Sequence, residues 1–298
     1  MKPISLHVKW SLAEVKDYLR ENLQRDSKDL YGLEDARWIE RAVNNWFEDS
    51  RNYDGRWTLI RQRMPTVGKV LDMAAGCGTF VLFGLQNGYE VWGIEPQEWK
   101  REYYKRKILA SAYPSKYLYH LVGSVGESLP FVSNCFDLVT SYQTLEHVDD
   151  IELCLREMLR VLQPGGFLHL RAPDYNCLFE PHYRIPFLPK MNRKLASFYL
   201  RLLGRPTLGL KSLNWTTEKE VVQLLMKSNY SVTVKRARAF YFERRKERIN
   251  RILPGLLCKP FIISSLNHLC EFKADLRNVG RIGREERVID LWVKKAQR

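Results

Sequence analysis

The run Val70-Leu71-Asp72-Met73-Ala74-Ala75-Gly76-Cys77-Gly78-Thr79 constrains this chain more than any other stretch. A short apolar block gives way to two glycines and then to a helical pattern over Phe80 to Gln86, which predicts a buried strand, a tight turn and a helix in succession. Two glycines at such a turn let backbone N–H groups approach a ligand closely, so the unit is a candidate binding loop as well as a fold element. A dinucleotide loop of the form G-x-G-x-x-G needs a third glycine at position 81. Val81 stands there, which argues against a pyrophosphate cofactor such as NAD.

The same alternation continues downstream. Strands are predicted at Glu90 to Glu95, near Tyr117 to Gly123, at Phe136 to Ser141 and at Phe167 to Ala172. Between them lie the helices Trp99 to Ala110 and Ile151 to Leu162, the latter capped by Asp149 and Asp150 and stopped at Gln163-Pro164-Gly165-Gly166. Strands alternating with helices at these lengths predict an α/β fold, a mostly parallel sheet with helices on both faces. Residues 12–64 read as an N-terminal helical cap, from apolar spacing in Leu12-Val15-Leu19 and Trp38-Ile39-Val43-Trp46-Phe47. After Pro173 the alternation breaks, and residues 176–213 read as a helical insertion. The helix Val221 to Ser228 and the strand Ser231 to Arg236 follow. A second, very basic insertion occupies about 240–285. The last strand, Arg287 to Lys294, has the alternating pattern of a sheet edge.

Glu95, at the end of the second predicted strand, is placed to accept hydrogen bonds from both hydroxyls of a ribose. Together with the glycine turn it marks an adenosine site. The two are joined by Leu129-Pro130-Phe131, Phe136-Asp137-Leu138-Val139, Leu145-Glu146-His147-Val148 and Leu159-Arg160-Val161-Leu162-Gln163-Pro164-Gly165-Gly166. In this order, over about residues 68–175, the chain resembles the class I S-adenosylmethionine-dependent methyltransferases, in particular the small-molecule, type 11 branch. The resemblance implies a Rossmann-like fold with a seven-stranded sheet. It also implies S-adenosyl-L-methionine as cofactor, a cap over residues 1–66, and a methyltransferase domain over 67–298 carrying the two insertions. It further implies that Asp72, Ala74, Gly76, Cys77 and Gly78 hold the methionine end, Glu95 and Pro96 the ribose, Gly126 and Glu127 the adenine, and that Tyr142 lines the site. Val125 stands where the family often has an aspartate, so a backbone carbonyl or Glu127 is expected to take the adenine amino contact.

Methyl transfer is a displacement at a carbon already activated by a positive sulfur, so positioning and exclusion of water supply much of the rate. A hydroxyl acceptor also needs a proton acceptor with a pKa near neutrality, which histidine provides. His147 follows the fourth strand at the ligand-binding edge, and His182 lies in Phe179-Glu180-Pro181-His182-Tyr183-Arg184-Ile185-Pro186-Phe187 just beyond the fifth. His182, His147 and Tyr183 are the candidate catalytic residues, His182 foremost. His169 reads as a packed strand residue. Asp149-Asp150 reads as a helix cap and not a metal site, and no metal is expected.

The formal net charge of +14 is clustered. Lys and Arg outnumber acids seven to one over residues 180–212 and seventeen to seven over 234–298. Such patches suit an anionic partner. The Asp/Asn-Pro-Pro-aromatic motif of base-amine methyltransferases is replaced after the fourth strand by Ser141-Tyr142-Gln143-Thr144, which disfavours nucleic acid. The expected reaction is O-methylation of a sugar, glycolipid or other small-molecule or lipid-linked acceptor. Peripheral contact with an anionic membrane is also expected, since the apolar run Ile252 to Ile263 follows Arg244-Arg245-Lys246-Glu247-Arg248. Two other readings stay open: an RNA-modifying or RNA-binding protein, and a cofactor-binding accessory subunit without catalysis. The opening residues lack a secretory pattern, no run suits a membrane span, and six scattered cysteines read as reduced thiols; a cytoplasmic location is expected.

Overall fold

A computed structural model of the chain describes residues 10–48, 51–236 and 288–297. The strands are β1 (Lys69–Met73), β2 (Glu90–Ile94), β3 (Leu121–Val122), β4 (Phe136–Tyr142), β5 (Leu162–Pro173), β6 (Phe179–Glu180), β7 (Ile185–Pro186), β8 (Val232–Arg236) and β9 (Val288–Lys295). The helices are α1 (Leu12–Tyr31), α2 (Ala36–Phe47), α3 (Arg51–Arg63), α4 (Thr79–Gln86), α5 (Glu98–Ala110), α6 (Ile151–Val161), α7 (Arg193–Leu202) and α8 (Glu218–Lys227). Seven strands form one sheet in the order β3-β2-β1-β4-β5-β9-β8. β1 to β5 pair in parallel, and β9 runs antiparallel to both of its neighbours. This is the mostly parallel sheet that the alternation predicts and the Rossmann-like fold that the resemblance implies.

Covered on both faces, the central strands bury nearly every residue, which is why they read as continuous apolar runs. On one face Leu71, Met73, Val139 and Leu170 pack with Cys154, Leu155, Met158 and Leu159 of α6 and Val221 and Leu225 of α8. On the other, Val70, Val91 and Leu138 pack with Phe80, Val81 and Leu85 of α4 and Trp57 and Ile60 of α3. The Trp57 indole stacks on Phe80 at 4.6 Å and on Tyr89 at 4.3 Å, and Gly84 gives it room, since a Cβ there would lie 2.5 Å from the ring.

Three sequence expectations change. The predicted strand at Tyr117 to Gly123 shrinks to Leu121–Val122, because Ser115–Tyr119 after Pro114 forms a 3₁₀ turn closed by the His120 N–H on the Tyr117 carbonyl. The insertion at 176–213 is helical only in its second half. Its first half is the hairpin β6–β7, since Pro181 and Pro186 remove helix donors and Arg184 turns the chain at φ 56°. The last strand is not an edge: β9 lies between β5 and β8, burying Ile289, Leu291 and Val293 on one face and Trp292 on the other, and β8 forms the border. The second insertion and its apolar run lie outside the described residues.

The cap and the first insertion pack against each other beyond the carboxyl ends of the strands. α1 begins with a Ser11–Glu14 capping box and ends at Gly32 in the left-handed region. A Cβ on Gly209 would lie 2.6 Å from the Tyr31 ring, Arg205 donates to the Gly32 carbonyl, and Arg184 pairs with Asp35 at 3.3 Å.

Candidate active site

The turn after β1 is held by backbone bonds from the Ala75 N–H to the Ile94 carbonyl at 2.8 Å and from the Gly78 N–H to the Ala75 carbonyl at 2.9 Å. Ala74, Gly76 and Gly78 all have positive φ, at 49°, 58° and 71°. The two glycines do different work. A Cβ on Gly78 would lie 2.3 Å from the Tyr104 ring, whereas one on Gly76 would meet nothing within 4 Å. Gly76 therefore borders open space, and its N–H donates to Glu95 Oε2 at 2.9 Å.

Glu95 is 2% exposed, its Oε1 accepts from the Gln97 N–H at 3.0 Å, and Lys100 Nζ stands 3.8 Å away. Arg101 donates to the carbonyls of Glu95 at 2.8 Å and Pro96 at 2.6 Å, and its guanidinium lies where a Cβ on Gly123 would meet it at 3.1 Å. Arg101 thus locks the end of β2 to the loop after β3.

Thr144 Oγ1 donates to the Met73 carbonyl at 3.3 Å, and Met73 faces Ser141 in the β1–β4 register. That anchor seats Glu146 and His147 beside the glycine turn. His147 Nδ1 lies 3.1 Å from the Ser212 carbonyl. A carbonyl only accepts, so Nδ1 carries the proton and Nε2 keeps its lone pair. Although part of its ring reaches solvent, the crowded cleft strips water from it and, with the facing His182, lowers its pKa to about 4. His182 stands at the tip of the β6–β7 hairpin, its ring centroid 5.0 Å from that of His147. Its Nδ1 lies 2.9 Å from Oε1 of the fully buried Glu180 and 3.4 Å from the Tyr175 hydroxyl. Glu180 also accepts from the Tyr183 N–H at 2.5 Å.

Among the described non-glycine residues with positive φ, Ala74, Gln143 and Arg184 sit on the three loops that meet here. Strain of this kind persists where the surroundings over-determine it.

Some predicted site residues have other duties. Asp72 is 3% exposed, and its Oδ1 takes Arg56 at 2.8 Å and Thr140 Oγ1 at 2.6 Å, so that oxygen is tied into the wall of the site. Tyr142 lies on that same face: Arg56 covers its ring at 3.7 Å and its hydroxyl meets His169 Nδ1 at 3.2 Å. Tyr183 is fully buried behind the site, in T-shaped contact with Tyr31 at 5.2 Å, and burial pushes its pKa up to about 12; it shapes no polar pocket. Glu127 Oε1 accepts from the N–H groups of Asp149 at 2.7 Å and Asp150 at 3.2 Å, which ties the loop after β3 to the start of α6. Cys77 is 4% exposed and burial raises its thiol pKa, so only its backbone borders the turn. Gly126 is buried, with room for no Cβ beside Cys154 Sγ at 2.7 Å. Asp150 caps α6 through the Leu153 N–H at 2.9 Å, as the sequence predicts, and His169 packs between Tyr142 and Trp292.

Arg56, Arg101, Glu180 and Glu146 were not assigned from sequence. The last two lie inside runs singled out for their histidines, but nothing local marks a carboxylate that serves a partner on another loop.

A family model described as a methyltransferase domain matches residues 71–170, the stretch from β1 through β5 that carries the glycine turn, Glu95 and His147. Over this stretch the chain reads as a methyltransferase domain.

The chain is 31% identical over 139 residues to a ubiquinone/menaquinone biosynthesis C-methyltransferase of Geotalea daltonii, covering 45% of this chain and 58% of that protein. It is 31% identical over 148 residues to a demethylmenaquinone methyltransferase of Corynebacterium efficiens, covering 48% and 60%. The chain thus spans somewhat over half the length of these curated relatives. The fold is shared with a Haemonchus contortus phosphoethanolamine N-methyltransferase 2 solved with S-adenosyl-L-methionine, at a TM-score of 0.52 and 13% identity over 94% of this chain and 60% of that one.

S-adenosyl-L-methionine fits the residues present. The open side of Gly76 accommodates close passage of a ligand, and the buried Glu95 carboxylate beside it supplies the acceptor that ribose hydroxyls require.

Proposed function

We propose that this protein is an S-adenosyl-L-methionine-dependent methyltransferase acting on a hydroxyl of a sugar, glycolipid or other small acceptor. The cofactor supplies a methyl carbon activated by positive sulfur. The protein's own part is to orient, exclude water and take a proton. Gly76 and Glu95 would hold the donor, and the loop after β4, tied to β1 through Thr144 and Met73, would set the acceptor beside it. One observation carries the hydroxyl reading: the Ser212 carbonyl and the Glu180 carboxylate orient His147 and His182 through their Nδ1 atoms, and the two rings face each other with centroids 5.0 Å apart. The pairing with Glu180 stabilises the His182 imidazolium formed when it accepts the hydroxyl proton.

His182→Ala is expected to lower turnover by roughly 10²–10⁴-fold, with unchanged calorimetric affinity for the donor. Turnover within a few-fold of the parent removes His182 from the reaction. The acceptor class is read by incubating the protein with labelled donor and fractionated extract. Label in the glycan, lipid or small-metabolite fraction as an O-methyl group supports the proposal, and label on ring carbon or in RNA refutes the hydroxyl acceptor.

We propose in addition that the acceptor is met at an anionic membrane surface. Helix α7 buries Ala196 and Leu200 and exposes Leu195, Phe198 and Leu202 by 48%, 65% and 73%, with Lys194 and Arg201 exposed beside them. An apolar face flanked by cations suits an anionic bilayer interface. No helix among the described residues is long and apolar enough to cross a membrane. Phosphatidylserine-containing vesicles are expected to sediment the protein in a salt-sensitive way, and neutral vesicles to do so less. Phe198→Glu with Leu202→Glu should weaken that binding by more than about tenfold, since each side chain forgoes roughly 1.5–3 kcal/mol of apolar burial. Equal binding to both vesicle types excludes this surface.

A further inference from the structure

We propose that Glu146, His147 and His182 form a binding site for a divalent d-block cation. The inference deepens the reading above, since it rests on this cluster facing the acceptor. One ligand atom from each residue lies within 4.8 Å of the others. An ion bonded at about 2.0–2.2 Å draws such atoms to about 3–4 Å apart, so shifts of about an ångström complete the site.

The imidazole anchoring is what a metal site requires. A ligating histidine donates its other N–H to a carboxylate or a backbone carbonyl, which fixes the tautomer and raises the basicity of the ligating nitrogen. Both histidines have that partner, His182 through Glu180 at 2.9 Å and His147 through Ser212 at 3.1 Å. Glu180 is itself pinned by the Tyr183 N–H and by the Tyr175 hydroxyl at 3.2 Å. Glu146 is fully buried, and the Asn214 N–H holds its backbone carbonyl at 2.6 Å. Two imidazole nitrogens and one carboxylate favour a first-row transition ion or zinc over the all-oxygen sites of calcium and magnesium. Three protein ligands leave positions for water or an acceptor oxygen. With the cation bound the imidazoles would serve as ligands, and the cation would lower the pKa of an acceptor hydroxyl whose proton passes to water; without it His182 takes that proton.

The full chain, stripped with chelator, is titrated with Co²⁺ and then Zn²⁺. The expected result is one equivalent of Co²⁺ with visible d–d absorption, displaced by Zn²⁺, and a raised thermal midpoint. Glu146→Gln and His182→Ala should each weaken Co²⁺ binding by at least about tenfold, and Glu180→Gln, which removes no ligand, by about 10–100-fold. Calorimetry with the methyl donor on the metal-free samples reports that each variant is folded. Should one ligand variant not fold, the other and Glu180→Gln carry the test. Donor binding by the parent without stoichiometric Co²⁺ overturns the cation site alone, and absence of donor binding overturns the methyltransferase reading instead. Co²⁺ bound equally well by the parent and the variants also overturns the site.

Discussion

Replacing Glu95 with alanine is expected to raise the dissociation constant for S-adenosyl-L-methionine by roughly 10²–10⁴-fold. The carboxylate is 2% exposed and 2.9 Å from the Gly76 N–H, so it both orders the glycine turn and stands where ribose hydroxyls would bind. A hydrogen bond to a charged group contributes about 1.5–3 kcal/mol, and two such bonds, at about 1.4 kcal/mol per tenfold, give that range. Glu95→Gln keeps the shape and an acceptor oxygen but not the charge, and its loss should be smaller. Isothermal calorimetry measures both, and a melt of the ligand-free variants separates a disordered turn from a missing contact. An affinity for Glu95→Ala within about threefold of the parent would remove this carboxylate from the donor site.

Arg56→Met is expected to destabilise the fold by about 3–5 kcal/mol, the usual consequence of leaving one member of a buried ion pair alone. Arg56 reaches from α3 to the end of β1, where it pairs with Asp72 at 2.8 Å and bonds Thr140 Oγ1 at 3.1 Å. Its guanidinium lies between the rings of Phe80 at 3.9 Å and Tyr142 at 3.7 Å. The side chains of the pair are 16% and 4% exposed, so solvent screens the interaction little. Removing Arg56 abandons the Asp72 charge in the core; adding Asp72→Asn should restore much of the loss, because the pair is worth less than the penalty for breaking it. Denaturant unfolding of the two single variants and the double variant tests this. Equal, additive losses would show that Asp72 and Arg56 do not depend on each other.

What was legible in the sequence followed from periodicity and local chemistry. Parallel strands buried on both faces announce themselves as apolar runs, and the Gly76–Gly78 turn and Glu95 stand next to elements that fix their position. The separation of duties between Gly76 and Gly78 was not legible, since it depends on where Tyr104 of α5 comes to rest. The pairing of Asp72 is not legible for a related reason: nothing near an acid at a strand end announces that a distant helix supplies Arg56. Tyr183 was drawn toward the pocket by its neighbour His182, but adjacent residues in a tight hairpin point to opposite sides. Glu146, Glu180 and Ser212 acquire meaning only when the loop after β4 and the β6–β7 hairpin meet, and no local spacing records that meeting.

The position of β9 between β5 and β8 sets an order on synthesis. A ribosome has delivered every other described strand before residues 288–295 emerge, and until then β5 and β8 carry exposed main-chain donors and acceptors with no mate. The nascent chain must therefore wait with an open slot in its middle, a state prone to strand exchange with its neighbours, and closes that slot only once residues 288–295 have left the ribosome.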